Sequence, residues 1–168
     1  MNGPILSIIT VNFNNNLGLL KTLESVSSQS FSSYEHIIID AGSTDGSRET
    51  IIQYEKENPH LSFWSSESDK GIYDGMNKGI DHAKGQYLYF LNSGDCLSQD
   101  ILAKIPFDGT EYLYGDTILF YKRKTKKRVY PDTLDLIYLS DNSLHHQSCF
   151  IHHTLFKDKR YDINYKII

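Results

Sequence analysis

Apolar and polar stretches alternate regularly between residues 6 and 91. Four short runs rich in β-branched and aromatic residues predict strands at 6–11, 34–39, 61–65 and 87–91. Between them, apolar residues recur at helical spacing and predict helices over 17–28, 47–57 and 73–83, the last ended by Gly85. This alternation predicts an α/β fold with a mostly parallel central sheet and helices on both faces.

The second half of the chain is less regular. Short patterned runs predict strands at 112–114, 117–121 and 147–151, and a helix at 99–104. The basic run 122–128 is interpreted as an exposed hairpin tip, with 129–130 as the return strand. The tail over 156–168 ends on apolar residues without a terminating signal, so we expect a chain that is truncated at its C-terminus.

Composition and charge narrow the class of protein. The 168 residues are 39% hydrophobic and 23% charged, which fits one globular domain. A net charge of -4 argues against a nucleic-acid partner. No apolar run approaches the roughly 20 residues of a membrane span, and the N-terminus lacks the features of a signal peptide. The two cysteines, Cys96 and Cys149, are too few for a disulfide framework, so we expect a cytoplasmic location.

A polar cluster follows each of the four predicted strands of the first half. These clusters lie at 12–14, 40–43, 68–71 and 92–95. Because right-handed crossovers bring the carboxyl ends of parallel strands to one edge, the clusters should converge there. Convergent loops that carry acids and glycines predict a pocket for a polar ligand. No glycine-rich dinucleotide fingerprint follows the first strand, and no P-loop motif is present.

The acids in these clusters each allow two interpretations. Asp95 could hold Mg²⁺ or Mn²⁺ together with a diphosphate, or it could cap the helix predicted at 99–104. Asp40 could accept hydrogen bonds from a ligand, or it could order its own loop as an Asx turn. The segment 69–71 could bind a base or phosphate, or form a solvated turn.

Two further features carry similar alternatives. His145 or His146 could be a metal or phosphate ligand, or a hydrogen-bonded structural residue. The basic run 122–128 could be a solvated tip, or it could contact anionic lipid at about 1 kcal/mol per basic residue.

Four segments together resemble family 2 glycosyltransferases of the GT-A fold. They are LSIITVNFNN, SVSSQSFSSYEHIIIDAGSTDGS, SESDKGIYDGMNKGIDHAKGQYLYFLNSGD and SLHHQSCFI. The resemblance implies the GT-A nucleotide-diphospho-sugar transferase fold in a single domain over 1–168. Residues 1–96 would form the nucleotide-sugar-binding half, and 97–168 would form part of the acceptor-side half.

The resemblance also assigns site residues. Asp40 would hydrogen-bond the base, and Asp95 would face a divalent metal, Mn²⁺ or Mg²⁺, with His145 or His146 as a candidate further ligand. The D-x-D motif of the family falls on 92–95, where only the last acid is present. The nucleotide-sugar-binding residues would be Thr10, Val11, Asn12, Asn14, Asp40, Gly42, Ser43, Asp69, Lys70, Gly71, Asn77, Asn92, Ser93 and Gly94.

The implied activity is inverting transfer of a sugar, often UDP-linked, to a hydroxyl of a glycan or lipid-linked acceptor, in cell-envelope or exopolysaccharide synthesis. The usual base is an aspartate that would lie beyond Ile168, and Asp162 precedes that position. The implied location is cytoplasmic, at the inner face of the membrane. A non-catalytic sugar-nucleotide-binding module and a phosphotransferase that uses Asp40 as nucleophile are the alternatives.

Overall fold

A computed structural model describes residues 3–121 and 124–165 of the protein. It confirms the predicted alternation of strands and helices in the first half. The elements there are β1 Leu6–Asn12, α1 Asn16–Ser27, β2 Tyr34–Asp40, α2 Ser47–Glu57, β3 Leu61–Ser66, α3 Ile72–His82 and β4 Tyr87–Phe90. The second half contributes β5 Tyr112–Tyr114, β6 Thr117–Tyr121, β7 Lys124–Arg128, α4 Leu136–Asp141 and β8 Cys149–His152.

Six strands form the central sheet in the order β3-β2-β1-β4-β8-β5. The first four are parallel, and β8 runs antiparallel to both β4 and β5. In this register Asn12 lies beside Asp40, and Asp40 lies beside Ser66. The carboxyl ends of three neighbouring strands are therefore level, which places the polar segments after them at one edge of the sheet.

The core lies on both faces of this sheet. Side chains alternate along β1, so Ile8 faces a cluster that includes α1, whereas Ile9 and Val11 face Met76 and Ile80 of α3. A third cluster joins α1 and α2 to β2. The expected mostly parallel sheet with helices on both faces is thus confirmed. Both faces of its inner strands are buried, so their few polar side chains pair with one another, as Ser7 and Glu35 do at 2.7 Å.

Helix α3 packs unusually close to β1. A Cβ at Gly79 would lie 2.3 Å from Ile9 Cγ2, and one at Gly75 would lie 2.8 Å from Val11 Cγ1. Only glycine leaves room for this approach. The close packing fixes the first turn of α3 relative to the end of β1.

The prediction that Gly85 ends α3 as a left-handed cap was wrong. The helix ends at His82, and Gly85 is not among the glycines with positive φ. A Cβ at Gly85 would lie 2.5 Å from the backbone nitrogen of Ser7. Close approach to β1, rather than helix capping, therefore explains this glycine.

Two elements of the second half also differ from the predictions. The helix predicted at 99–104 is only a 3-10 turn, Leu102–Lys104, because Gln99 takes a positive φ and a proline at 106 follows closely. The last strand begins at Cys149 instead of residue 147, since a 3-10 turn, His146–Ser148, precedes it. A further 3-10 turn spans His153–Phe156.

The basic run is mostly strand and not hairpin tip. Lys124–Arg128 forms β7, which pairs antiparallel with β6, and Tyr121 lies opposite Lys124. Because the pairing covers all of Lys124–Arg128, most of the basic side chains of the run lie on a strand. The predicted return strand at 129–130 is not a strand. Residues 122 and 123 lie outside the described residues.

Candidate functional site

A cleft of about 580 Å³ opens at the carboxyl edge of the sheet. Six predicted site residues line it, namely Val11, Asn12, Asp69, Gly71, Asn92 and Ser93. Val11 and Asn12 end β1, and the other four come from the segments that follow β3 and β4. Of the other four lining residues, Phe13, Ala41 and Ser68 belong to the predicted clusters without an individually assigned role, and only Ile72 lies outside the clusters. The cleft is the size of a small-molecule site.

Two predicted site residues lie away from this cleft. Thr10 is fully buried beneath it, with Oγ1 2.9 Å from His36 Nε2 in the layer between β1 and α2. Asn77 faces the chain near the C-terminus, where its amide nitrogen donates to the carbonyl of Tyr161 and its oxygen accepts from the Tyr161 N–H, both at 2.9 Å. Both make structural contacts, and direct ligand contacts by them stay predictions.

Asp40 is the centre of a hydrogen-bond network and is fully buried. Its Oδ1 accepts from Asn12 Nδ2 at 2.7 Å and from the Ser43 hydroxyl at 2.5 Å. Its Oδ2 accepts from Ser43 N–H at 2.9 Å and from the Ser66 hydroxyl at 2.6 Å. Burial raises the pKa of Asp40, but hydrogen bonds from Ser43, Ser66 and Asn12 outweigh it and hold the pKa below its ordinary value.

This network supports the interpretation that Asp40 orders its own loop, although the bond goes to the N–H three residues on and not two residues on as in an Asx turn. Both oxygens are used to hold the loop after β2 against β1 and β3. A nucleophilic role in phosphate transfer is disfavoured because the carboxylate is fully buried and hydrogen-bonded on both oxygens. Contact between Asp40 and a base stays a prediction.

Asn14, which follows β1, and Gly42, in the loop after β2, support the same geometry. Asn14 accepts from Thr44 N–H at 2.8 Å, and its own N–H donates to the Ser43 hydroxyl at 2.8 Å. Gly42 has φ +74, and a Cβ there would lie 3.2 Å from Ser68 N. Only glycine fits this left-handed, crowded position, so the loops after β2 and β3 can meet at the cleft.

Three buried acceptor oxygens of the cleft have no hydrogen-bond partner within the described parts of the chain. They are Asn12 Oδ1, Asp69 Oδ2 and Asn92 Oδ1. A buried acceptor without a partner costs about 1–3 kcal/mol. Such atoms indicate a ligand that supplies N–H or O–H donors, or a cation. The other Asp69 oxygen accepts from Gly71 N–H at 2.8 Å, and the exposed Lys70 gives its backbone N–H to Asp74.

The loop 92–95 is tied to α1. The Thr22 hydroxyl accepts from Gly94 N–H at 3.0 Å and donates to the carbonyl of Asp95 at 2.7 Å. The Asn15 amide donates to the carbonyl of Ser93 at 2.9 Å. Gly94 has φ +100, which suits glycine.

Asp95 is not a helix cap, because no helix begins at residue 99. Instead its Oδ2 accepts from Gln147 Nε2 at 2.8 Å, and its Oδ1 has no partner among residues 3–121 and 124–165. The neighbouring Asn92 Nδ2 lies 3.0 Å from His146 Nε2, a hydrogen bond in which Nε2 accepts in the tautomer that is protonated on Nδ1. Burial lowers the pKa of His146, the Asp95 charge opposes this, and His145 adds to it.

The donor set fits a divalent cation only in part. No group of three histidine, cysteine or acidic side chains in the described residues could hold a metal. Asp95 and Asn92 nevertheless offer hard oxygen ligands, and Mg²⁺ or Mn²⁺ commonly uses one or two carboxylates plus substrate phosphates. Of the two candidate histidines, His146 is beside these oxygens, whereas His145 packs edge-on to Tyr130.

Two residues that the sequence did not single out belong to this region. Phe13 lines the cleft and is 62% exposed, although an aromatic residue directly after a strand suggests core. Gln147 reaches Asp95 across 52 positions of sequence, for which no local signal exists.

Comparisons with known proteins agree with this geometry. The sequence model described as Glycosyl transferase family 2 matches residues 7–155. TuaG of Bacillus subtilis, a putative teichuronic acid biosynthesis glycosyltransferase, is 37% identical over 101 residues, covering 60% of this chain and 40% of TuaG. This chain thus spans less than half the length of that relative.

Solved structures share the fold. Staphylococcus aureus TarS 1-349 in complex with UDP has a TM-score of 0.71 at 18% identity, covering 91% of this chain and 48% of TarS. The mannosyltransferase PcManGT from Pyrobaculum calidifontis, in complex with GDP-Man and Mn²⁺, has a TM-score of 0.55 at 18% identity, covering 60% of this chain and 30% of PcManGT. At such identity the likeness shows the fold alone.

Proposed function

Because the chain belongs to glycosyl transferase family 2, with a match over residues 7–155, we propose that it binds a nucleotide-diphospho-sugar for transfer to an acceptor hydroxyl. The observation that carries this is the cleft with three unpartnered acceptor oxygens at the ends of the parallel strands. Residues 1–96 would form the donor half and residues 97–168 part of the acceptor side. The reaction would invert the configuration at the anomeric carbon.

The nucleoside would lie between the segments that follow β1 and β3. Asn12 Oδ1 and Asp69 Oδ2 would accept from a base N–H and from ribose hydroxyls, which satisfies two buried acceptors. The exposed ring of Phe13 would stack on the base. A UDP-linked donor is proposed because the TarS structure that matches over most of this chain contains UDP.

The diphosphate would lie beside the loop 92–95. Asp95 and Asn92 would hold Mn²⁺ or Mg²⁺, which would neutralise charge on the departing diphosphate. His146 would join them by releasing its Nε2 from Asn92. Gly94, with φ +100, keeps this loop free of a side chain where phosphate would approach. Support comes from the unpartnered oxygen of Asn92 and from the Mn²⁺ in the PcManGT complex.

The acceptor would be a glycan or lipid-linked hydroxyl of cell-envelope synthesis, as the printed name of TuaG suggests. No general base is assigned among the described residues. Asp162 is used locally, because its Oδ1 accepts from Asn164 N–H and from the Asn164 amide, both at 2.9 Å. The unassigned base is the one observation that favours a non-catalytic sugar-nucleotide-binding module instead.

Titration calorimetry with UDP, with and without Mn²⁺, tests the donor site. Asp95→Ala should weaken binding in Mn²⁺ by about 10-fold, equal to about 1.4 kcal/mol, and should leave metal-free binding unchanged. Asp132→Ala, which removes an exposed acid elsewhere, is the matched control. Equal Mn²⁺-dependent affinity for Asp95→Ala and wild type would contradict the assignment.

Release of UDP from UDP-sugars by the full-length protein separates an enzyme from a binding module.

A peripheral contact with anionic membranes is proposed for the β6–β7 hairpin. Phe120 is 80% exposed and Tyr121 is 57% exposed on β6. Lys124 and Lys126 on β7 have no ion-pair partner in the described residues, and the two strands contain no acid. Tyr121 lies opposite Lys124 on one face of the hairpin, whereas Phe120 lies opposite Thr125 on the other face. An exposed aromatic ring beside free lysines suits the interface of an anionic bilayer. We propose this contact together with a cytoplasmic location at the inner face of the membrane.

Vesicle co-sedimentation tests the membrane contact. The Lys124→Glu, Lys126→Glu variant should bind vesicles rich in phosphatidylglycerol at least about 10-fold more weakly than wild type. Vesicles of phosphatidylcholine alone should bind neither protein. The matched control is Lys157→Glu, Lys159→Glu, which changes two exposed lysines elsewhere. Equal losses in both double variants would mean that the hairpin is not the contact.

A further inference from the structure

The turn before β8 contacts the loop 92–95 on the side away from α1. Two side chains of this turn reach that loop. Gln147 Nε2 donates to Asp95 Oδ2 at 2.8 Å, and His146 Nε2 accepts from Asn92 Nδ2 at 3.0 Å. The loop that offers the candidate metal ligands is therefore fixed from two directions.

The position of Gln147 is itself set by the central sheet. The hydroxyl of Tyr89, a residue of β4 that is 2% exposed, donates to the carbonyl of Gln147 at 2.7 Å. Tyr89 in turn stacks on Phe150 of β8, with ring centroids 4.6 Å apart. The backbone of Ser148 also accepts from Gly115 N–H at 2.9 Å. Gln147 is thus held at its carbonyl, while its side-chain amide reaches the carboxylate.

The amide contact determines which oxygen of Asp95 remains available. With Oδ2 engaged by Gln147, rotation of the carboxylate is restricted and Oδ1 is left without a partner in the described residues. A glutamine can donate this bond, whereas methionine of similar length cannot and glutamate would place a second acceptor there.

We propose that Gln147 is a positioning residue for Asp95, which orients Oδ1 toward the divalent cation and the donor diphosphate. The proposal rests on the proposed function, because it presumes a cation at Asp95. Residues that orient a metal ligand typically change metal affinity about 10- to 100-fold when they are replaced. Replacing Gln147 should therefore change the affinity for the cation and not the affinity for the nucleoside, which would contact other parts of the cleft.

The test measures Mn²⁺ affinity of the full chain by electron paramagnetic resonance in saturating UDP, and UDP affinity without metal by calorimetry. Gln147→Met should raise the Kd for Mn²⁺ about 10-fold or more, with metal-free UDP affinity unchanged. Gln86→Met, at an exposed position before β4, is the matched control and should match wild type.

Tyr89→Phe keeps the proposal testable if Gln147→Met does not fold. This variant removes only the hydroxyl that holds the Gln147 carbonyl, and it should weaken Mn²⁺ binding in the same direction by a smaller factor. A Kd for Mn²⁺ within twofold of wild type in a folded Gln147→Met or, failing that, in Tyr89→Phe overturns the positioning role alone. Absence of Mn²⁺ binding by wild type in UDP overturns the cation site of the proposed function, and the positioning role with it.

Discussion

Because His36 is fully buried, we expect the stability of the protein to fall in mild acid. Its ring lies between Thr10 Oγ1 at 2.9 Å and the Tyr54 hydroxyl at 3.1 Å, on the face of β2 that packs against α2. Burial lowers the pKa of His36 from 6.5 to about 3. The folded protein therefore keeps this imidazole neutral, whereas the unfolded chain protonates it in mild acid.

The sign and the magnitude follow from this difference. Between pH 6.5 and about pH 3 the unfolded state binds one proton that the folded state does not, so stability falls as the pH falls through this window. The full contribution of the neutral His36 ring to the free energy of unfolding is present above pH 6.5. At pH 5.0 the expected loss in free energy of unfolding is about 2 kcal/mol, since the slope approaches about 1.4 kcal/mol per pH unit.

Urea unfolding at pH 7.5 and pH 5.0 measures the effect, comparing wild type with His36→Gln. Between pH 7.5 and pH 5.0, the free energy of unfolding of the variant should fall by about 2 kcal/mol less than that of wild type. Burial also lowers the pKa of His146, so part of the wild-type dependence should remain in the variant. His153→Gln, at an exposed position, should behave like wild type.

Equal pH dependence in wild type and His36→Gln would refute the reasoning. If the variant does not fold, the His36 ring proton on Cε1 can be followed by NMR in wild type. That resonance should stay constant from pH 8 to about pH 5, and a titration near the pKa of an exposed histidine would equally contradict the prediction.

Three substitutions give further expected outcomes. Asp40→Asn should lower the free energy of unfolding by about 2–3 kcal/mol in urea titrations, because an amide donor replaces an acceptor that faces Ser43 N–H; unchanged stability would contradict the network. Gly79→Ala should cost about 1–3 kcal/mol through overpacking against β1, whereas Gly115→Ala, with no atom within 4 Å, should cost little. Phe13→Ala should weaken UDP binding by about 1 kcal/mol or more in calorimetry, and undiminished affinity would argue against stacking.

The first half of the fold could be predicted because local pattern and tertiary environment agree. The three isoleucines of β2 form a continuous apolar run, and they are buried on both faces as a parallel strand between helices requires. Each predicted strand end carries a polar segment, and parallel topology alone brings these segments to one edge.

The second half was harder because pairing and not burial sets its structure. Lys124–Arg128 is a strand although its residues are mostly charged and exposed, since its ladder partner is β6 and not the core. Gly85 was misinterpreted for a related reason. Local sequence does not distinguish a glycine that allows close approach to another strand from a glycine that caps a helix.

The candidate site was predicted in outline only. An acid at a strand end has the same sequence signature whether it serves a ligand, as proposed for Asp95, or its own loop, as Asp40 does. The contact between Gln147 and Asp95 spans 52 positions and depends on how β8 pairs with β4. Such contacts require the three-dimensional register, which no local pattern encodes.

The bidentate contact of Asn77 with Tyr161 has a mechanical consequence. One amide side chain satisfies both backbone groups of Tyr161, whose ring also stacks on Tyr73 with centroids 5.4 Å apart. The chain near Tyr161 is thereby docked on the helix whose first turn borders the cleft. A ligand that rigidifies the first turn of α3 would also slow proteolysis around Tyr161, because Asn77 of the same helix holds the backbone of Tyr161.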